Sequence, residues 1–139
     1  MAIGDFRLMN EAQFKARTKN LALRVIRLVS ALPKNEMEAQ VISKQLLRCA
    51  TSVGANYRAA CRGKSTADMI SKLSIVLEEA DETLYWMELL VESGIMPASR
   101  LNNLIAETNE IVSMLVASLK TLRSKSKQSR IYNSAQSEI

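Results

Sequence analysis

The side chains of this 139-residue sequence that could do chemistry are its lysines, arginines, carboxylates, serines and two cysteines, and histidine is absent. Histidine is the commonest acid–base catalyst near neutral pH and the commonest nitrogen ligand of metals. Without it, Ser, Cys and Lys nucleophiles lack their usual general base, and the Glu-x-x-His pattern of di-metal bundles cannot form. The sequence therefore predicts a protein that is not an enzyme and has no metal or cofactor.

Two further patterns come close to known sites without matching them. Residues 78–82 contain four carboxylates, but they are adjacent and mostly outward, so they do not converge on one buried point. Gly63-Lys64-Ser65 matches only the end of a phosphate-binding loop, because the glycine that the motif requires earlier is missing. Neither pattern changes the expectation of a non-catalytic chain.

Apolar residues recur in steps of three and four along four segments, in stripes that start at Phe14, Ala39, Ile70 and Leu101. Proline or glycine separates the segments, as expected at helix ends. We predict helices over about 8–32, 36–62, 66–93 and 98–123. Residues 1–123 then form one all-α domain, an up-down-up-down four-helix bundle.

The composition also predicts the nature of the last residues and the compartment of the protein. Residues 124–139 lose the apolar period and are rich in Ser and Lys, so we expect a flexible basic tail. Cys49 and Cys61 are too few for a disulfide framework, and no run of 18 apolar residues occurs. Asp5 precedes any apolar stretch, which does not fit a secretory signal. We expect a cytoplasmic protein without a membrane partner.

Charge is unevenly distributed along the chain. Residues 1–35 carry +5, residues 36–62 carry +2, residues 63–95 carry −5 and residues 96–139 carry +3. The acids of the third helix and the bases of the first lie on helices that are diagonal in such a bundle. Contact across a subunit boundary would bring them together, which favours a homo-oligomer with unlike surfaces in contact, and such contacts can close into rings. Two solvated faces are an equally good interpretation of the charges alone.

Some apolar residues point away from the predicted core, including Trp86, Ile75 and Leu89 on the third helix and Leu23 on the first. They suggest a second interface, although scattered surface apolar residues are common. The candidates for an oligomer interface are Leu23, Arg17, Arg24, Arg27, Ile75, Glu78, Asp81, Trp86, Glu88 and Leu89.

Basic residues on the outward side of the second helix and at the end of the chain could neutralise phosphates without reading a base sequence. The alternative is a solvated face followed by a tail that aids solubility. The nucleic-acid-binding candidates are Lys44, Arg48, Arg58, Arg62, Lys64, Lys120, Arg123, Lys125 and Lys127.

The run from Cys49 to Ser65 is unusual for a helix. Gly54 should cost about 1 kcal/mol against Ala in a helix interior, and its small neighbours would allow another backbone to approach. Asn56 lies near the apolar stripe, where it either fixes the register between helices or lies at the bundle margin. We treat Gly54 and Asn56 as a helix-packing motif.

This run, with Leu77-Glu-Glu-Ala-Asp-Glu-Thr-Leu-Tyr-Trp86 after it, resembles a bacterial family of small four-helix bundles. Its members include proteins encoded by intervening sequences in large-subunit ribosomal RNA genes, and the accessory variability determinant of diversity-generating retroelements is a relative. The resemblance implies a homopentameric ring with a basic surface. For the retroelement members it also implies binding of nucleic acid and of a reverse transcriptase, and for the others it implies no established role.

These observations lead to two functional hypotheses. The first is an oligomeric adaptor that binds RNA or DNA backbone through basic surfaces and assists a reverse transcriptase. The second is a structural or protein-docking scaffold that binds no nucleic acid.

Overall fold

The computed structural model describes residues 10–137, and its regular structure consists of helices. They are α1 (Glu11–Ser30), α2 (Met37–Ala60), α3 (Thr66–Glu92) and α4 (Ala98–Ser137), and no strand occurs between residues 10 and 137. The all-helical expectation is confirmed. The expected start of the first helix at residue 8 lies outside the described residues. Within them, no helix is both long and apolar enough to cross a membrane.

Successive helices pack against each other, and the chain reverses direction at each short connection. α2 and α3 share the most extensive interface, followed by α3 with α4 and α1 with α2, whereas α1 touches α4 only lightly. α1 and α3 are therefore diagonal, as predicted. This arrangement leaves the seam between α1 and α4 thinner than the other three.

The helix ends show which local signals the chain uses. Asn10 caps α1, since its side chain accepts a hydrogen bond from the Gln13 amide at 2.7 Å. Ser65 caps α3 in the same way, because its hydroxyl accepts a hydrogen bond from the Asp68 amide at 3.1 Å. α2 starts at Met37, one residue after the predicted start, and its N-cap residue Glu36 makes no side-chain cap. The Gln40 side chain instead donates to the Pro33 carbonyl at 2.8 Å and ties this turn together.

The core lies where the apolar stripes predict it. The stripes that start at Phe14, Ala39 and Leu101 are buried, with Leu28 half-buried. α3 differs, because it is covered by α2 on one side and by α4 on the other, and its buried arc is wider than one stripe. Trp86 and Leu89 are consequently half-buried and packed against the core rather than turned away from it.

The last helix is longer than the sequence predicts. Its buried side chains end at Leu122, but the helix continues to Ser137 with its side chains largely in solvent. No glycine or proline follows Pro97, so nothing in the local sequence stops propagation once the packed part has nucleated the helix. Residues 123–137 therefore form a helical extension of α4, where a flexible tail was expected.

Candidate nucleic-acid interface

One end of the bundle collects positive charge from α1, α2, α4 and the turn between α2 and α3. α1 and α3 begin at this end and α2 and α4 finish there, so residues far apart in sequence become neighbours. We call it the basic end; its cations are Lys15, Lys19, Arg58, Arg62, Lys64, Lys120, Arg123, Lys125, Lys127 and Arg130. Few acids accompany them, and residues 111–137 contain none. The tertiary structure thus joins the two basic clusters that the sequence shows separately.

A groove of about 440 Å³ runs between α1 and α2 at the basic end. Its cationic lining comes from Lys15 and Lys19 on α1, from Arg58 at the end of α2 and from Arg62 in the turn after it. The rest of the lining is small, comprising Ala16, Thr18, Ala22, Thr51, Gly54 and Ala55. A shallow groove with small walls and cations along it suits an extended polyanion better than a compact apolar ligand.

Gly54 lies where α1 and α2 approach each other. A Cβ atom at this position would lie 3.4 Å from Oγ1 of Thr18 and 3.5 Å from its backbone carbonyl. The close approach that the sequence suggested is present. The sequence left two interpretations of Asn56 open, a role in helix register and a place at the bundle margin. Its amide donates to the Ser52 carbonyl of its own helix at 2.9 Å, which fits the bundle margin.

Arg48 is not free to bind phosphate, unlike the other basic candidates of α2. Its guanidinium donates to Glu82 and, at 3.4 Å, to Glu79, both on α3. The hydrogen bond to Glu82 raises the pKa of Arg48 above its usual value. In the described part of the chain, Lys44, Arg58, Arg62 and Lys64 make no ion pair with a carboxylate.

Arg17 also finds its acid within the chain, where contact across a subunit boundary was expected. It reaches from α1 to α4, and its Nη2 and Nε lie 2.7 and 3.0 Å from the two carboxylate oxygens of Glu107. Glu110 is 3.3 Å away, and the hydrogen bond to Glu107 raises the pKa of Arg17. Arg17 therefore stabilises the thin seam between α1 and α4. Arg24 and Arg27 have no such partner among residues 10–137.

The outward face of α3 carries the acidic candidates. Glu78, Asp81 and Glu88 are exposed, and so is Ile75, while Leu23 is exposed on α1. Sequence reasoning missed Tyr85, which is 54% exposed on the same face. The sequence could have indicated this position, because Tyr85 lies four residues after Asp81 and three before Glu88, a spacing that places all three on one face of a helix. The indole N–H of Trp86 is buried without a hydrogen-bond partner, and its ring packs edge-on against Tyr85 at 5.2 Å.

The two cysteines are free thiols and are not part of the charged surfaces described above. Burial raises the pKa of both, and that of Cys61 reaches about 11. The thiolate is the nucleophile, so both side chains are protonated and unreactive near neutral pH. Over residues 10–137 no group of three potential metal ligands converges.

Sequence reasoning also missed two cations of the basic end. Lys15 and Lys19 were not among the predicted nucleic-acid-binding residues, yet they line the groove beside Arg58 and Arg62. The antiparallel pairing of α1 with α2 was the usable signal, because it places the start of one helix beside the end of the next. Lys15 also pairs with Glu11 at 3.0 Å on its own helix.

Comparison with known proteins gives two matches that agree with each other. The family model described as 23S rRNA-intervening sequence protein matches residues 10–117. A crystal structure of a protein of unknown function from the S23 ribosomal protein family of Bacteroides thetaiotaomicron superposes with a TM-score of 0.73 at 38% identity. That match covers 81% of this chain and 99% of the Bacteroides chain. No curated protein matches. The chain therefore belongs to the family of 23S rRNA-intervening sequence proteins.

Proposed function

We propose that this protein is a non-enzymatic nucleic-acid-binding adaptor that holds the phosphate backbone of RNA or DNA at its basic end. The observation that carries the proposal is the set of cations from three helices and the turn before α3 that face solvent at one end of the bundle. Most of them have no carboxylate partner in the described structure, so their charge is available to an external polyanion.

Contacts of this kind make affinity depend on salt rather than on base sequence. Each neutralised phosphate releases a counterion, and log K falls with log salt concentration by about 0.7 per contact for a single strand. Tyr132 is the one aromatic residue of the α4 extension, so stacking of unpaired bases is not part of the proposal.

The test is a titration of fluorescently labelled RNA at several KCl concentrations, followed by anisotropy. We expect Arg58→Ala with Arg62→Ala to reduce the slope by about 1.4, since two phosphate contacts are lost. The matched control removes two exposed cations at the opposite end of the bundle, Lys34→Ala with Arg100→Ala, and should leave the slope unchanged.

Two results would contradict the proposal. One is wild-type affinity that does not fall as salt rises, and the other is an equal loss in both double variants. Either would favour the alternative hypothesis, a structural or protein-docking scaffold that binds no nucleic acid.

We propose in addition that the chain assembles into a homo-oligomer, with a pentameric ring as the specific form. The support is the exposed face of α3, where Ile75 and Tyr85 lie among Glu78, Asp81 and Glu88, opposite in charge to the unpaired Arg24 and Arg27 of α1. The pentamer number and an accessory role beside a reverse transcriptase rest on the resemblance to the retroelement determinant alone.

A further inference from the structure

A second basic cleft lies between the first turns of α3 and the extension of α4, separate from the groove between α1 and α2. Its volume is about 750 Å³. α4 contributes Arg123, Ser126, Lys127 and Arg130, and α3 contributes the uncharged side chains of Ala67 and Ile70. The family match ends at residue 117, so the cationic wall of this cleft lies outside the part of the chain that the family model covers.

We propose that this cleft binds a phosphate group. The identification of this group as a phosphate of a nucleic-acid strand rests on the proposed function. The cations follow one another at i, i+4 and i+7, the spacing that places them on one face of the helix. They span about 10 Å along the axis at 1.5 Å per residue. Three like charges on one wall repel each other, and a phosphate between them and α3 removes that repulsion.

No carboxylate of the described structure lines this cleft. The acid nearest in sequence on α3 is Asp68, which is held by Lys72 at 3.1 Å and by the Lys64 amide at 3.0 Å. Arg123 makes only a neutral hydrogen bond, to the Ser74 hydroxyl at 3.1 Å, and this bond holds its guanidinium against α3. No carboxylate among residues 10–137 therefore balances the positive charge of the cleft.

Lys125 supplies a matched control. It lies two residues from both Arg123 and Lys127, so it projects from a different face of α4 and does not line the cleft. Lys127→Ala and Lys125→Ala remove the same side chain from the same turn of the same exposed helix. A difference between them reports the cleft and not the net charge of the protein.

The deciding experiment titrates inorganic phosphate into the full-length protein and follows backbone amide NMR signals. We expect shifts at Ala67, Ile70 and Ser126 in the wild type and in Lys125→Ala, and their loss in Lys127→Ala with Arg130→Ala. Absence of these shifts from the wild type, or their persistence in the double variant, would overturn the proposal. The phosphate titration uses no RNA, so its result does not depend on whether RNA binds in the groove between α1 and α2.

RNA titrations then identify the source of the phosphate. If it belongs to a strand, Lys127→Ala should weaken RNA binding about fivefold at 0.1 M salt relative to Lys34→Ala, which removes an exposed lysine at the opposite end of the bundle, from a slope change of about 0.7. If Lys127→Ala weakens binding of a 5′-phosphorylated RNA but not of the same RNA with a 5′-hydroxyl group, the cleft binds a terminal phosphate. If inorganic phosphate shifts these amide signals but the wild type binds no RNA, the cleft is a site for free phosphate. The proposed function would then be wrong.

Discussion

Individual charged residues in this protein take their roles from their neighbours in space. Arg17 and Arg48 look like free surface cations in the sequence, but each is held by two carboxylates of another helix. Arg58 and Arg62 have the same residue type, yet no carboxylate among residues 10–137 reaches them. Residue type alone therefore does not distinguish a cation that stabilises the fold from one that is available to a ligand.

Gly54 gives the prediction at this scale. Its added Cβ would meet Thr18 at 3.4 Å, a distance of ordinary van der Waals contact. Gly54→Ala should therefore keep the close approach and gain helix propensity, which stabilises the protein by about 0.5–1 kcal/mol. The neighbouring change Ala55→Gly, at an exposed site of the same helix, should destabilise it by a similar amount. Urea unfolding measures both, and a loss of stability in Gly54→Ala would mean that the two helices tolerate no side chain there.

At the scale of the helices, the apolar period accounts for packing but not for helix length. The stripe of α4 ends at Leu122, whereas the helix runs to Ser137 because no residue breaks it. The four helices also differ in how firmly they are held, since α1 packs well on α2 and only lightly on α4. Helix length and seam strength are thus properties that the heptad pattern does not report.

Removal of the α4 extension tests whether helix length is independent of core packing. Residues 125–137 contain no buried side chain, so a chain that stops after Ser124 should have a Tm within about 3 °C of the wild type, because surface changes rarely exceed about 0.5 kcal/mol. Its far-UV circular dichroism should lose the signal of residues 125–137. RNA affinity should fall as well, because Lys125, Lys127 and Arg130 are removed. A large drop in Tm would show that the extension packs on the bundle.

At the scale of the whole molecule, charge is separated in space. The basic end and the acidic outer face of α3 are different surfaces, so a modest net charge of +5 conceals two strong local fields. Fields of this kind steer encounter with partners of opposite charge. The separation is compatible with both proposals, because the proposed polyanion site at one end and the proposed contact face on the side of the bundle do not overlap.

Light scattering tests the assembly. A pentamer of 15.5-kDa chains would give about 78 kDa, and a mass of 15.5 kDa would contradict the proposal. Ile75→Ala with Tyr85→Ala should lower the mass, because both side chains are exposed on the proposed contact face. Ile131→Ala with Tyr132→Ala is the control of identical composition on the α4 extension, and it should leave the mass unchanged.

The sequence by itself determined the class of fold, the positions of the helices and most of the core. These follow from the spacing of apolar residues and from helix breakers, which act over a few residues, so Phe14 or Leu101 could be placed without any structure. Only the tertiary structure decided which charges are neutralised, that Trp86 is covered, and that cations as distant as Lys15 and Arg62 meet along one groove. The physical reason is that these outcomes depend on the rotation and tilt of whole helices against each other, which single stripes do not specify.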